Sequence, residues 1–204
     1  MSTFATCRTV AVAVGLIAGP AADSLGQAPE PVAVRVYDAS TGRGKMRAAA
    51  IRTAASITAD AGLVIDWTDC SRGSQASACN GLRGPDDLVV RISPVAANGS
   101  PGLVIRDQMR APLGFSVVDP VVGAGAIAMV FLDRILPLAS RTGTDPGRLL
   151  GRVIAHEIGH LLLGTTAHSP SGLMREVWTD HELTRNRPED WVFTGREPLR
   201  RRLD

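Results

Sequence analysis

Arg152-Val153-Ile154-Ala155-His156-Glu157-Ile158-Gly159-His160-Leu161-Leu162-Leu163-Gly164 is an apolar run that carries two histidines and a glutamate among aliphatic residues. Read as an α-helix, which turns about 100° per residue, it projects His156 and His160 from one face, one turn apart, so that both imidazoles can reach a single cation. Glu157 stands one step round that face, where it can serve a water held by the cation without being a ligand. The run is framed by helix signals: Asp145 suits the N-cap, Pro146 the first helical position and Gly164 the left-handed residue past the last turn. Leu150, Ile154, Ile158 and Leu161 make a buried stripe. Leu149, Val153, His156 and His160 make its neighbour, so the histidines are expected to look into a cleft from an otherwise buried helix. A core helix whose histidines only bond to backbone would explain neither Glu157 nor the residues that follow.

Those residues are Gly164-Thr165-Thr166-Ala167-His168-Ser169-Pro170-Ser171-Gly172-Leu173-Met174. A catalytic zinc takes three protein ligands and leaves one position open, and the helix supplies two. His168 is the candidate third ligand, brought back toward the metal if Gly164 breaks the helix. Glu176, Glu182 and Glu189 are rivals, as in zinc peptidases of the gluzincin type. Asp180 and His181 come after them, since His181-Glu182 reads more simply as exposed connecting loop.

With this sequel the motif resembles the metzincin clan of zinc endopeptidases, whose pattern is His-Glu-x-x-His-x-x-Gly-x-x-His followed by a methionine-containing turn. Ser169 after the third histidine and the pair Leu173-Met174 are most similar to the matrixin branch. The chain departs from the pattern in that Gly164 lies four residues after His160, and His168 four after Gly164, each spacing one longer than usual. Met174 lies closer to the third histidine than in matrixins and no proline follows it. Glu176 stands where some members carry a helper tyrosine. The resemblance implies an α/β (α+β) zincin: a mixed twisted sheet, a long metal-binding helix, a Met-turn at Met174 and a C-terminal helix in 188–203. It also implies Zn2+ on His156, His160 and His168, with Glu157 taking a proton from the attacking water and returning it to the leaving amine.

Composition fits a small exported enzyme. At 204 residues with 45% hydrophobic and 21% charged residues, the chain is long enough for one domain with a sizeable core. Arg8, the apolar stretch Val10 to Ala18 and the small residues beyond it read as a secretory signal, too short to span a bilayer, which places the processing region at 1–28 and the catalytic domain at 29–204. No propeptide is evident between the two. Secretion, to the periplasm or outside the cell, leaves Cys70 and Cys79 as an even pair, for which a disulfide is expected. A formal charge of +2 gives no sign of a nucleic-acid partner, and the mature chain is expected to be a monomer off the membrane, acting on a peptide or protein.

Patterning along the mature chain predicts strands at Val32–Tyr37, Leu63–Thr68, Leu88–Ile92, Leu113–Val118 and Ala126–Leu132, with helices at Lys45–Ala61 and Ile135–Thr142. A turn-rich stretch covers 93–112. If Leu113–Val118 is a sheet edge above the metal, a substrate can add to it as a further strand, with Gly114 and Phe115 as candidate contacts. A non-catalytic secreted module with structural zinc is the reading from another class. A fourth protein ligand would favour it, because catalysis needs an exchangeable position.

Overall fold

The computed structural model describes residues 31–71, 77–80, 84, 86–94, 112–119 and 121–194. The stretch 1–28 expected to be a secretory signal, most of the turn-rich stretch and residues 195–204 lie outside them. A five-stranded sheet of order β2-β1-β3-β5-β4 is formed by β1 (Val32–Asp38), β2 (Ile65–Asp69), β3 (Leu88–Ser93), β4 (Gly114–Asp119) and β5 (Ala124–Phe131). β2, β1, β3 and β5 run parallel, while β4 closes one edge antiparallel to β5 with a register shift between Val117 and Val118. That edge placement is the one the sequence predicted for residues 113–118.

Helices α1 (Gly44–Asp60) and α3 (Pro146–Leu163) pack against each other and against one face of the sheet. Val34, Val36, Leu88, Val90 and Ile92 meet Ala50, Ala54, Leu150, Ile154 and Ile158 there in one core. The crossing is close because small residues line both sides: a Cβ added at Gly151 would stand 2.5 Å from the Ala50 carbonyl oxygen. A methyl group at that point would force the helices apart and open the core. α3 begins as expected, with the Asp145 carboxylate accepting the Arg148 N–H at 2.8 Å and Pro146 in the first turn. Such a cap is worth about 1 kcal/mol. The helix ends at Gly164, whose φ of +64° is the left-handed conformation that glycine adopts without strain.

The structure corrects some boundaries. β2 starts at Ile65 rather than Leu63, because the Leu63 N–H is spent on the Thr58 carbonyl at the end of α1. The helical connection α2 (Leu132–Thr142) starts three residues earlier than expected, at the end of β5. The segment holding His181 and Glu182 is a helix, α4 (Asp180–Arg185), and not a loop. Its capping box is local chemistry, Thr179 accepting from the Glu182 N–H while Glu182 accepts from the Thr179 N–H. Of the region expected to hold the terminal helix, the described part forms a 3-10 turn at Pro188–Trp191. The Cys70–Cys79 disulfide is present and closes the loop after β2. Closing a loop of that size stabilises the fold by roughly 2 to 3 kcal/mol in the chain-entropy account. Among the described residues no helix is long and apolar enough to cross a membrane.

Candidate metal centre

α3 is buried almost all round from Leu149 to Leu162, so its histidines reach a cleft only at their tips: His156 is 8% exposed and His160 5%. Their rings meet edge to face with the Nε2 atoms 3.1 Å apart. What fixes them is the backbone of the loop beyond the helix. His156 Nδ1 lies 2.9 Å from the Leu173 carbonyl oxygen and His160 Nδ1 lies 2.9 Å from that of Thr165. A carbonyl only accepts, so each Nδ1 must carry its hydrogen, and each neutral ring then presents a bare lone pair at Nε2. Burial keeps both rings neutral, pushing His156 down to about 4 against the opposing Leu173 bond and lowering His160 as well. Two lone pairs at 3.1 Å repel unless a cation stands between them, and zinc–nitrogen bonds of about 2.0–2.1 Å fit that spacing.

His168 completes the group. Its ring stacks at 25° to His156 and edge-on to His160, with centroids 5.4 Å and 4.8 Å away. The ligand atoms of the three histidines lie within 4.8 Å of one another, and among the described residues they are the one cluster of three groups able to hold a metal. The longer spacing after His160 therefore still brings the chain back. Gly164 turns it sharply, with the Thr165 N–H bonded to the His160 carbonyl, and a Cβ at Gly164 would strike the Gly123 carbonyl oxygen at 2.0 Å. The rival ligands are elsewhere or engaged: Glu182 in its capping box and paired with Arg175, Asp180 with Arg141, while Glu176, Glu189 and His181 are exposed.

Met174 sits buried beneath α3. A Cβ at Gly159 would lie 2.5 Å from the Met174 sulfur and 2.7 Å from the Phe193 ring, so the variable position before His160 is glycine because the turn passes directly under it. The turn is held by Ser169 N–H to the Met174 carbonyl and Leu173 N–H to the Val192 carbonyl. Gly159→Ala is expected to cost about 1–3 kcal/mol by overpacking, read from denaturant unfolding. By displacing the Leu173 carbonyl that orients His156, it should also weaken zinc about 10–100-fold in a competition titration. Unchanged affinity would show that the carbonyl does not depend on this packing.

Glu157 is 4% exposed and faces the edge strand. The Ser116 hydroxyl lies 2.7 Å from Glu157 Oε2 and 2.7 Å from the Glu157 carbonyl oxygen. Burial pushes the Glu157 carboxyl up to about 7, the Ser116 bond opposing. Gly114 is brought to the same carboxylate, since a Cβ there would lie 2.8 Å from Glu157 Oε1. Phe115 alternates to the other face of β4, half-exposed, with its ring 5.9 Å from that of Phe131. Ser116 was not legible in the sequence, because nothing local ties it to a residue 41 positions away. Only the strand alternation, once Gly114 is placed, would have pointed to it.

No family model matches the chain, and no curated protein matches it. Among solved structures, archaemetzincin from Methanopyrus kandleri superimposes with a TM-score of 0.51 at 18% sequence identity, covering 81% of this chain and 91% of that one. At this identity the likeness speaks for the fold, a mixed α/β metzincin-type arrangement.

Proposed function

We propose that the protein is a zinc-dependent endopeptidase of the metzincin type. The observation that carries the proposal is the pair of imidazoles whose Nδ1 hydrogens are committed to the Leu173 and Thr165 carbonyls, leaving two Nε2 lone pairs face to face beside His168. That arrangement is made for a cation. Three neutral ligands leave such an ion its full charge and a free position, and when bound there zinc supplies Lewis-acid activation of a water and of a scissile carbonyl.

The chain's own residues do the rest. Glu157 accepts the proton of the attacking water on its carboxylate and delivers it to the leaving amine. Ser116 holds the carboxylate in place through Oε2. Gly114, lacking a side chain, lets β4 approach the carboxylate closely at Oε1. Among the described residues β4 is a sheet edge, so an extended peptide can pair along it and lie across the metal. Ser169 and Leu173-Met174 support the matrixin branch, from which the longer spacings set the chain apart. The disulfide and the leader-like N-terminus support secretion.

Chelation tests this reading. Removing zinc is expected to abolish cleavage of casein or gelatin, and one equivalent of zinc per chain to restore it. Full cleavage by protein shown by elemental analysis to be metal-free would overturn it.

A further inference from the structure

The peptide group that orients His156 is itself tied down. The Leu173 N–H donates to the Val192 carbonyl at 2.8 Å, and the Leu173 carbonyl oxygen accepts from His156 Nδ1 at 2.9 Å and from Trp178 Nε1 at 3.2 Å. A carbonyl oxygen has two lone pairs, so it can serve both donors at once. Trp178 reaches back five residues to make its bond, across the turn that carries Met174.

The Trp178 ring is held by its neighbours. It stands edge-on to His156, with centroids 5.7 Å apart, and edge-on to Trp191, with centroids 5.4 Å apart. The Trp191 ring in turn lies over the Arg152 guanidinium at 3.7 Å. Arg152 and His156 are four apart on α3 and project from the same face. Arg152, Trp191, Trp178 and His156 therefore form a closed column against one turn of that helix, ending on a metal ligand. The two indole N–H groups in it differ. That of Trp178 is spent on the Leu173 carbonyl, whereas Trp191 Nε1 is buried with no acceptor among the described residues.

We infer that Trp178 is a positioning residue for His156: its N–H holds the Leu173 carbonyl at the angle His156 Nδ1 requires, and so governs how well Nε2 is aimed at a zinc ion. The inference rests on the three-histidine cluster being the zinc site proposed above, and not on peptide cleavage. The partner of a ligand's far nitrogen fixes the ring before the metal arrives; a partner left free to turn must be ordered when the metal binds, which costs affinity. Trp178 acts one bond further out, so its loss should be felt less than loss of the carbonyl itself.

The neighbouring indole supplies the control. Trp178→Phe and Trp191→Phe remove the same atoms from two rings in contact, but only the first removes an N–H that bonds to something. Zinc affinity of the full chain is read by competition with a chromogenic chelator, alongside thermal unfolding of the metal-free protein. Trp178→Phe is expected to weaken zinc about 3–10-fold, short of the roughly 10–100-fold that loss of a ligand's direct partner costs, while Trp191→Phe stays within about twofold of the parent even if it unfolds at a lower temperature. Equal affinities in the two variants, both unchanged or both weakened, would overturn the inference, because packing would then be the whole effect. A second measurement needs no variant. In the isotope-labelled parent the Trp178 indole N–H resonance should move on zinc loading by more than that of Trp191, and a Trp178 signal that stays in place would also overturn the assignment. The expected affinity difference in a chain that cleaves no casein would support the positioning role while removing the peptidase reading, whereas a parent that binds no zinc would overturn both.

Discussion

Glu157→Gln is expected to leave one zinc bound per chain and to cut turnover of a peptide substrate by about 10²–10⁴, the range that a positioned proton carrier contributes. The substitution keeps the shape of the side chain and an oxygen able to accept from Ser116, so it removes little besides the capacity to take and return a proton. The pH profile should change with it. In the metal-free chain burial holds the Glu157 carboxyl up at about 7 despite Ser116, and a cation in the three-histidine cage favours the ionised form and draws it lower. The base works when ionised, so wild-type kcat/KM should fall as pH drops through that value, on an acid limb lying below pH 7. In Glu157→Gln that limb should disappear. A variant that binds zinc and keeps more than a tenth of the wild-type rate would remove Glu157 from the chemistry, and a wild type with no peptidase activity would favour the non-catalytic module.

His168→Ala should have its main effect on the metal. The ring is exposed and contributes little to the core, so the fold should survive. Zinc affinity should fall by more than the roughly 10–100-fold that loss of an outer contact to a ligand costs, and activity should fall toward background. Glu176→Ala and Glu189→Ala, at exposed positions, should bind zinc as the parent does. Glu182→Ala should destabilise α4, because its carboxylate serves Thr179 and Arg175, without altering the metal. Competition titration with a chromogenic chelator separates the cases. Retention of zinc by His168→Ala, with loss in any one glutamate variant, would replace the three-histidine set with a glutamate-ligand one.

The parts of this molecule that could be read from sequence are those whose causes are local. Asp145, Pro146 and Gly164 bracket α3 because a cap, a fixed φ and a left-handed residue each act within one turn. The strands were visible as short apolar runs, although the start of β2 was hidden: Leu63 has a strand-like side chain, but its N–H closes the preceding helix. The capping box Thr179-x-x-Glu182 is a local signal too, but the six residues of α4 hold too little apolar periodicity to suggest a helix. The rest depends on the tertiary fold. Leu173 and Thr165 orient the histidines through carbonyls that any residue possesses, and Ser116 meets Glu157 only because β4 packs on α3. Arg152 looks like a solvated residue on a helix until Trp191 is folded over it.

The Leu173 carbonyl has a second caller. Trp178 Nε1 donates to it at 3.2 Å, and the indole stands edge-on to His156 with centroids 5.7 Å apart. An ion on His156 Nε2 would polarise the imidazole and tighten its bond to that shared oxygen, altering the surroundings of the indole. Zinc loading and release are therefore expected to change tryptophan emission, a signal that needs no dye.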